Sequence, residues 1–211
     1  MADAANAAYE FPPHMPHAIY PLPLKSTCER LPDMKPAIID EAQMPPGLDE
    51  QIRAALCTCF PADRAVFSRT RAWHGSPPQY SVVLEDAGRV TAHAGIVQRT
   101  ITVGGSPLRV AGVQNVCVLP ECRGQGLSGR VLQAAMDEAC GRGFDCGLLF
   151  CVPALGPLYV GGGWQALGPR EIVRIEEGRR LPLPGENVAL FYPLRVAQFP
   201  AGPIDLCGND W

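Results

Sequence analysis

The 211-residue sequence has little lysine and no long apolar run. Only Lys25 and Lys35 are lysines, and 18 basic residues stand against 21 acidic ones, for a formal net charge of −3. No segment concentrates the cations that a phosphate backbone requires, so we expect no nucleic-acid partner. There is also no apolar run of about 18 residues to span a bilayer. The first residues lack the basic head and apolar stretch of a secretory signal, so we expect no membrane partner either.

The cysteines do not form a pattern typical of a metal site or a disulfide framework. Their number, nine, is odd, and no paired Cys-x-x-Cys spacing is present. Several lie in strongly apolar segments, where cysteine acts as a small hydrophobic residue. His14 and His17 lie close together in sequence, but without acidic or thiolate neighbours. We therefore expect no bound metal, and we expect a reducing cytoplasm as the location.

The chain divides into a proline-rich N-terminal extension, residues 1–34, and a single domain, residues 35–211. Each proline removes a backbone donor and fixes φ, so no long helix or central strand is expected in the extension. Its prolines are Pro12, Pro13, Pro16, Pro21, Pro23 and Pro32. The remaining residues are numerous enough to bury a core of their own.

Hydrophobic periodicity in the domain predicts an α/β fold. A helix is expected from Pro46, and a helix of about four turns is expected after Pro120, where the apolar period is near 3.6. Alternating segments predict an antiparallel meander of strands, and the apolar segment 145–151 predicts a buried parallel strand after the crossover helix. The meander strands are 79–85, 89–102 and 108–119, after a short strand at 38–39. A short helix at 155–160 and strands at 164–167, 172–175 and 188–192 complete the prediction.

The segment 116–130 carries the clearest chemical signal, because a strand ends there in a glycine-rich turn that leads directly into a helix. Glycines without Cβ let backbone amides approach an anion, and the helix N-terminus adds unpaired N–H groups and partial positive charge. We therefore predict phosphate binding. Gly124, Gly126 and Gly129 also fit a dinucleotide fingerprint, but that motif follows a first strand and needs an acid after the second. Here the next strand is followed by Val152-Pro153.

The run Arg123-x-x-Gly126-x-Ser128 resembles the cofactor signature of the GCN5-related N-acetyltransferases (GNAT), with Ser128 in place of the final Gly or Ala. The resemblance covers roughly residues 36–192. It implies a mixed, mainly antiparallel central sheet with flanking helices, splayed where acyl-CoA enters. It implies that backbone amides wrap the pyrophosphate and that one strand pairs with the pantetheine arm. The amides are those of Arg123, Gly124, Gln125, Gly126, Leu127 and Ser128, and the strand residues are Val116, Cys117 and Val118.

Tyr159 stands on the short helix where GNAT enzymes carry a tyrosine. Aminolysis of a thioester expels a thiolate, and a phenol with a pKa of about 10 can protonate that sulfur. A tyrosine that only packs in the core is the alternative. The resemblance thus implies an enzyme, an N-acetyltransferase that uses acetyl-CoA as co-substrate. The acetyl group would pass directly to a primary amine of a small molecule.

Within this family the chain looks similar to the aminoglycoside 2′-N-acetyltransferases, which would imply a role in antibiotic resistance. By this resemblance Asp210 and Trp211 would face an ammonium substrate, with a frayed terminus as the alternative. Gln114, just before Asn115, replaces an acid of those enzymes, and Arg195 stands where they carry another. A cation at the pocket rim would favour an acceptor with a carboxylate or phosphate. All five residues are predicted on the acceptor side.

Several alternatives stay open at this point. The general base could be His93, Asp210 or a backbone carbonyl with water, and His93 could equally be a core residue. Cys117 and Cys151 would allow an acyl-enzyme, although their strand positions favour packing. A longer acyl chain or an acyl carrier protein as donor, as in nodulation-type acyltransferases, and a non-catalytic acyl-CoA-binding module are the alternative functions. A homodimer is also open.

Overall fold

A computed structural model of the protein describes residues 34–183 and 185–211, and within these ranges ten strands form one sheet. The strands are β1 (Ala37–Asp40), β2 (Tyr80–Asp86), β3 (Arg89–Val103), β4 (Ser106–Val118), β5 (Cys146–Cys151), β6 (Gln165–Ala166), β7 (Ile172–Glu176), β8 (Arg179–Pro182), β9 (Val188–Pro193) and β10 (Ile204–Asp205). The helices are α1 (Pro46–Cys59), α2 (Arg64–Phe67), α3 (Leu127–Gly141) and α4 (Gly156–Val160).

The strand order confirms the predicted mixed, mainly antiparallel sheet. Strands β1 to β4 form an antiparallel meander, and α3 crosses over so that β5 runs parallel to β4. Strand β9 pairs antiparallel with β5, and the short β6 lies beyond it. At the far end of β3, β10 pairs antiparallel with β3 and parallel with β7, which forms a hairpin with β8. The crossover helix explains the single parallel neighbour of β4, because a hairpin cannot join parallel strands.

The sheet is covered on both faces, and successive side chains of β5 point to opposite faces. Leu149 and Cys151 point to the face packed against α3, whereas Leu148 and Phe150 belong to the opposite face. We call these the α3 face and the Trp211 face, because Trp211 packs on the second one. Helix α1 also covers the Trp211 face, over β2 to β4. Both faces of β5 are therefore apolar, as the sequence of this strand predicts.

The splay between β4 and β5 has a local cause. Their parallel pairing ends at Val113 opposite Leu149. Two residues later β4 contains a β-bulge, because two residues, Asn115 and Val116, lie opposite the single residue Ala94 of β3. Asn115 has a left-handed backbone with φ of 56°. A bulge bends its strand and increases the local twist, so β4 leaves β5 at this point.

Three elements are not anticipated by the sequence pattern. Strand β8 reads Arg-Arg-Leu-Pro and β10 has only two residues, so neither carries an apolar alternation. Helix α2 has only four residues. All three depend on partners elsewhere in the fold, which a local pattern does not encode.

The prediction of an extension over residues 1–34 falls almost wholly outside the described residues, as do His14 and His17. Met34, its last residue, is buried in the α3-face core. In the described part of the chain, no helix has the length and hydropathy needed to cross a membrane. Nor do these residues contain a group of three or more His, Cys, Asp or Glu side chains placed to hold a metal ion.

Candidate active site

The glycine turn, residues 123–128, leads into the first turn of α3; residues 123–126 are exposed, whereas Leu127 is buried. Gly124 and Gly126 have φ of +77° and +72°, a left-handed conformation that costs other residues roughly 1–2 kcal/mol. Gly126 is the residue that precedes α3. A Cβ added at Gly124, Gly126 or Gly129 would meet no other atom within 4 Å. Gly124 and Gly126 are therefore required by the backbone conformation, and all three glycines leave open space beside the turn.

The backbone amides of this turn are unusually uncommitted. Among the described residues, no acceptor takes the N–H groups of Gly124, Gln125, Gly126, Leu127 or Ser128. The first intrahelical bond of α3 comes from Arg130, whose N–H donates to Gly126 O at 3.2 Å. The N-terminal N–H groups of any helix lack intrahelical acceptors. In this structure the unpaired N–H groups at the start of α3 directly follow those of the turn.

The last residues of β4 lie along the open side of the splay. Val118 pairs with Ala92 of β3, and Cys117 with His93. Because alternate backbone groups of a strand point to opposite edges, part of this segment's backbone faces the edge that β5 has left. Val118 O accepts hydrogen bonds from Arg123 Nε at 3.2 Å and from Cys59 Sγ at 3.4 Å. The Arg123 side chain thus holds the turn against the strand end.

Tyr159 of α4 is buried on the α3 face and packs edge-on against Trp164. Burial, with a smaller effect of the nearby Cys151, raises the pKa of the Tyr159 phenol to about 12. Between α3 and α4 lies a small cavity of about 70 Å³, lined by Ser128, Gly129 and Tyr159 among others. The phenol therefore lines the same recess as the first turn of α3.

On the Trp211 face, Gln114 and Asn115 fasten the loop of residues 71–76 over β4. Gln114 Oε1 accepts the Trp73 N–H at 3.2 Å, and its Nε2 donates to Ser76 O at 2.9 Å. Asn115 Nδ2 donates to Arg71 O at 2.7 Å. The side chains that the sequence analysis assigns to the acceptor thus contact the backbone of this loop.

Trp211 lies against β4 and β5 just before they diverge. Its ring occupies the space that a side chain at Gly112 would need, and its Nε1 donates to Leu148 O at 3.3 Å. It packs against Phe150 with ring centroids 5.6 Å apart, and the Arg99 guanidinium lies 5.1 Å from its centroid. The segment that carries Asp210 and Trp211 is thus seated in the core and is not frayed, and its contact with an ammonium substrate stays a prediction.

Asp210 and His74 form a pair that the sequence analysis does not single out. Asp210 is buried, its Oδ2 lies 2.9 Å from His74 Nδ1, and its Oδ1 accepts from Arg174 Nη1 at 2.8 Å. His74 is 39% exposed at its side chain and has φ of 44°. The only sequence signal is a polar turn at Trp73-His74-Gly75, which by itself does not distinguish a functional histidine from a surface one.

His93 is a core histidine. It is fully buried, with Nδ1 3.0 Å from Asn115 O and Nε2 3.2 Å from Ser81 Oγ. Because a carbonyl only accepts, Nδ1 carries the proton, and the Ser81 hydroxyl donates to Nε2 while it accepts from Arg71. Burial lowers the pKa of His93 to about 4. Of the three candidate bases, His93 therefore has no free nitrogen.

Arg195 requires a correction. Its backbone N–H donates to Asp145 O at 2.9 Å, and its Nη1 donates to Gly143 O at 3.2 Å, beside the start of β5. The splay begins at Leu149, where the pairing with β4 ends, four residues along β5 from Asp145 and roughly 13 Å away at about 3.3 Å per residue. The reason is that β9 runs antiparallel to β5, with Pro193 opposite Cys146. Arg195 therefore does not lie at the rim of the splay. The expectation of an acceptor with a carboxylate or phosphate depended on that position and is withdrawn.

The two strand cysteines are poor nucleophiles. The hydrogen bond with Cys59, together with burial, raises the pKa of Cys117 above its usual range. Burial raises the pKa of Cys151 to about 11. Because the thiolate is the nucleophilic form, these thiols are inert at neutral pH. Their environment agrees with packing rather than with an acyl-enzyme.

Comparison with known proteins places this geometry among acetyltransferases. A family model described as an acetyltransferase (GNAT) domain matches residues 48–167, more than half of the chain. The structure is similar to the GNAT family N-acetyltransferase YhbS from Escherichia coli, solved in complex with CoA, with a TM-score of 0.60 and 20% identity over 83% of this chain and 92% of that one. An acyl-CoA N-acyltransferase from Pseudomonas aeruginosa gives a TM-score of 0.53 and 14% identity over 75% and 99% of the two chains. At these identities the likeness shows a shared fold.

One curated relative adds a local similarity. Nodulation protein A from Bradyrhizobium elkanii is 38% identical over 74 residues, which cover 34% of this chain. The matched part amounts to 35% of the length of that protein. The similarity therefore concerns about a third of either sequence.

Proposed function

The chain belongs to the GNAT acetyltransferase family, and on that basis we propose that it transfers the acetyl group of acetyl-CoA directly to a primary amine of a small molecule. The observation that carries the proposal is the run of uncommitted amides from Gly124 to Ser128, which opens into the recess lined by Tyr159. One small region of the fold thus offers amide donors for an anion and a phenol for the departing sulfur.

The glycine turn suits the diphosphate of the donor substrate. Five consecutive amides have no acceptor among the described residues, and the last two of them open a 15-residue helix; together they form an anion-binding arrangement. The space beside Gly124 and Gly126 lets phosphate oxygens come close to these amides. The pantetheine arm would then lie along the open edge at Val116, Cys117 and Val118.

Tyr159 is suited to donate a proton at the sulfur. A phenol with a pKa of about 12 stays protonated at neutral pH, so it can act as a hydrogen-bond donor or acid as negative charge develops. When bound, acetyl-CoA supplies an activated acyl group. The protein's contribution is largely orientation, since holding two reactants together is worth an effective concentration on the order of 10⁵ M or more.

Calorimetric titration of CoA tests the donor site. Gly124→Asp places a carboxylate beside the proposed diphosphate at a left-handed position, and Gly126→Trp fills the space next to it. We expect each variant to lose about tenfold or more in affinity, a factor that corresponds to about 1.4 kcal/mol. Gly47→Ala is the matched control, because Gly47 lies in α1 with nothing within 4 Å of an added Cβ. Equal affinity in all four proteins would refute the donor assignment.

A second candidate is transfer of a longer acyl chain, from CoA or from an acyl carrier protein. Four large apolar side chains are exposed between the end of β5 and the end of α4, namely Val152, Leu155, Leu158 and Val160, with 44–54% of each accessible. This surface adjoins Tyr159, and it could cover an alkyl chain. Thiol release with acetyl-, octanoyl- and palmitoyl-CoA at equal concentration separates the two.

Other expectations stay proposals. An aminoglycoside amine is one acceptor to include in the screen, by mass spectrometry for a product 42 mass units heavier. A non-catalytic acyl-CoA-binding module is the alternative if CoA binds and no amine is acetylated. The cytoplasmic location, the homodimer and the division at residue 34 have the status of predictions.

A further inference from the structure

We propose that His74 is the general base that takes a proton from the acceptor amine, and that Asp210 is the positioning residue that holds its ring. The inference rests on the proposed acyl transfer and goes beyond it, because it assigns a residue on the acceptor side. Its basis is one juxtaposition: a buried carboxylate paired with a half-exposed imidazole beside the splay of β4 and β5.

The pair fixes which nitrogen is free. The Asp210 carboxylate accepts from Arg174 through Oδ1, and its Oδ2 faces His74 Nδ1, so it accepts the Nδ1–H of His74. The His74 lone pair is then on Nε2, for which the described residues offer no hydrogen-bond partner. A carboxylate that orients an imidazole in this tautomer is a common arrangement for a general base. The Asn209 side chain also donates to His74 O at 2.7 Å, so both ring and backbone are held.

The charged groups around the ring balance locally. The C-terminal segment contributes Asp210, and β7 contributes Arg174 and Glu176, which form an ion pair of 2.9 Å. On β3, Arg99 donates to Asn209 O. The two carboxylates and the two guanidinium groups in this cluster thus carry equal and opposite formal charge.

The position of His74 follows from the contacts of its loop. Loop 71–76 is fastened to β4 by Gln114 and Asn115, within two residues of the last pairing between β4 and β5. Asp210 precedes Trp211, which is anchored on Leu148. His74 is thus placed at the splay from the Trp211 face, whereas Tyr159 belongs to the α3 face. An amine could enter on one face while the sulfur leaves on the other.

The proton balance is complete with these two groups and water. The acceptor enters as an ammonium ion, and His74 Nε2 takes one proton so that the nitrogen lone pair can form the bond to the acyl carbon. As the carbon–sulfur bond breaks, Tyr159 gives its proton to the sulfur. The nitrogen loses its second proton, which restores Tyr159 through water, and His74 releases the first proton to solvent. The products are an amide, free CoA thiol and one proton.

Kinetics on the variants test the role. We expect His74→Gln to lower kcat about 10²-fold or more at neutral pH and to abolish the acidic limb of the wild-type pH profile. The Kd for CoA should stay within about twofold. Asp210→Asn should show a similar loss, with partial recovery in Asp210→Glu. The matched control is Arg180→Gln, which breaks the exposed ion pair to Asp205 in the same C-terminal segment and should retain wild-type kinetics.

Acceptor basicity separates a base from a structural residue. With n-butylamine, which is protonated at neutral pH, the loss in His74→Gln should be large. With O-benzylhydroxylamine, which is already neutral, it should be at least tenfold smaller. A merely structural defect would lower both rates equally, and wild-type activity of His74→Gln with n-butylamine would also overturn the proposal.

A readout without turnover keeps this inference separate from the proposed function. In ¹⁵N-histidine-labelled protein at pH 8, the ring signals lost in His74→Gln should show a protonated Nδ1 and an unprotonated Nε2. Asp210→Asn should remove that preference. The opposite tautomer would overturn the proposal, whether or not an acceptor is known. Failure of CoA to bind, with the expected tautomer present, would instead refute the proposed function.

Discussion

Replacement of Gly112 by alanine should unseat Trp211 and thereby disable the acceptor side. A Cβ at Gly112 would lie 2.7 Å from Cζ2 and Nε1 of the indole, and closer still to Cε2. Carbon atoms pack at about 3.5–4.0 Å, so the ring or the strand must move by about 1 Å. The strand cannot retreat, because Gly112 is paired with Val97 on one side and Leu148 on the other. The indole must therefore leave its place.

The energetic cost can be bounded from these contacts. Overpacking costs about 1–3 kcal/mol, and loss of the bond from Trp211 Nε1 to Leu148 O adds about 1 kcal/mol. For a chain of this size the resulting destabilisation of about 2–4 kcal/mol lowers Tm by roughly 5–15 °C. Since Asp210 is the adjacent residue, we expect kcat to fall as well, while the affinity for CoA changes by less than about twofold.

Differential scanning fluorimetry, intrinsic tryptophan fluorescence and thiol-release kinetics measure this effect. Gly47→Ala again serves as the control and should be neutral to slightly stabilising. In the Gly112→Ala background, Trp211→Phe should recover part of the lost stability, because the smaller ring relieves the contact; this gives a double-mutant cycle with a non-additive term. Unchanged Tm and fluorescence in Gly112→Ala would refute the seating of Trp211 on β4.

Two further predictions concern ionisable groups on the two sides of the sheet. Tyr159→Phe should lower kcat by about 10²-fold with little change in CoA binding, and stopped-flow or steady-state thiol release measures it; unchanged turnover would discard the acid role. Because burial holds the pKa of His93 at about 4, below its unfolded value of 6.5, the unfolded state binds the proton first as pH falls. Wild-type protein should therefore lose roughly 3 kcal/mol of stability between pH 6.5 and pH 4, and urea titrations of His93→Gln should show a much smaller loss.

Much of the scaffold could be predicted because the relevant signals are local. The alternation in β2 to β4, the helical period of α3 and the apolar run of β5 are each encoded within the element itself. The glycine turn was also predictable, since Gly124 and Gly126 supply the two left-handed positions that it uses. Tyr159 was found by resemblance; it lines one cavity with Ser128 and Gly129, and its role stays a prediction.

The acceptor side was harder to predict because it depends on chain direction and on distant contacts. Arg195 follows β9, whose antiparallel direction carries it to the start of β5 rather than to the splay. Gln114 and Asn115 were assigned to a substrate, yet their polar atoms hold loop 71–76. A polar residue inside an apolar strand stands out in the sequence. Because such a residue is buried in the fold, its polar atoms form hydrogen bonds with other protein groups.

What the sequence determined by itself is the order of most elements and the glycine turn, because period and backbone freedom are properties of short segments. Only the tertiary structure decided which residues meet at the proposed acceptor side. His74 and Asp210 are separated by 136 residues, and although the resemblance marked Asp210, no sequence signal pairs it with His74. They meet because Trp211 seats the end of the chain on Gly112, and because Gln114 holds loop 71–76 on β4. Such a contact depends on how the strands pair and on where the sheet splays. A local sequence pattern encodes neither.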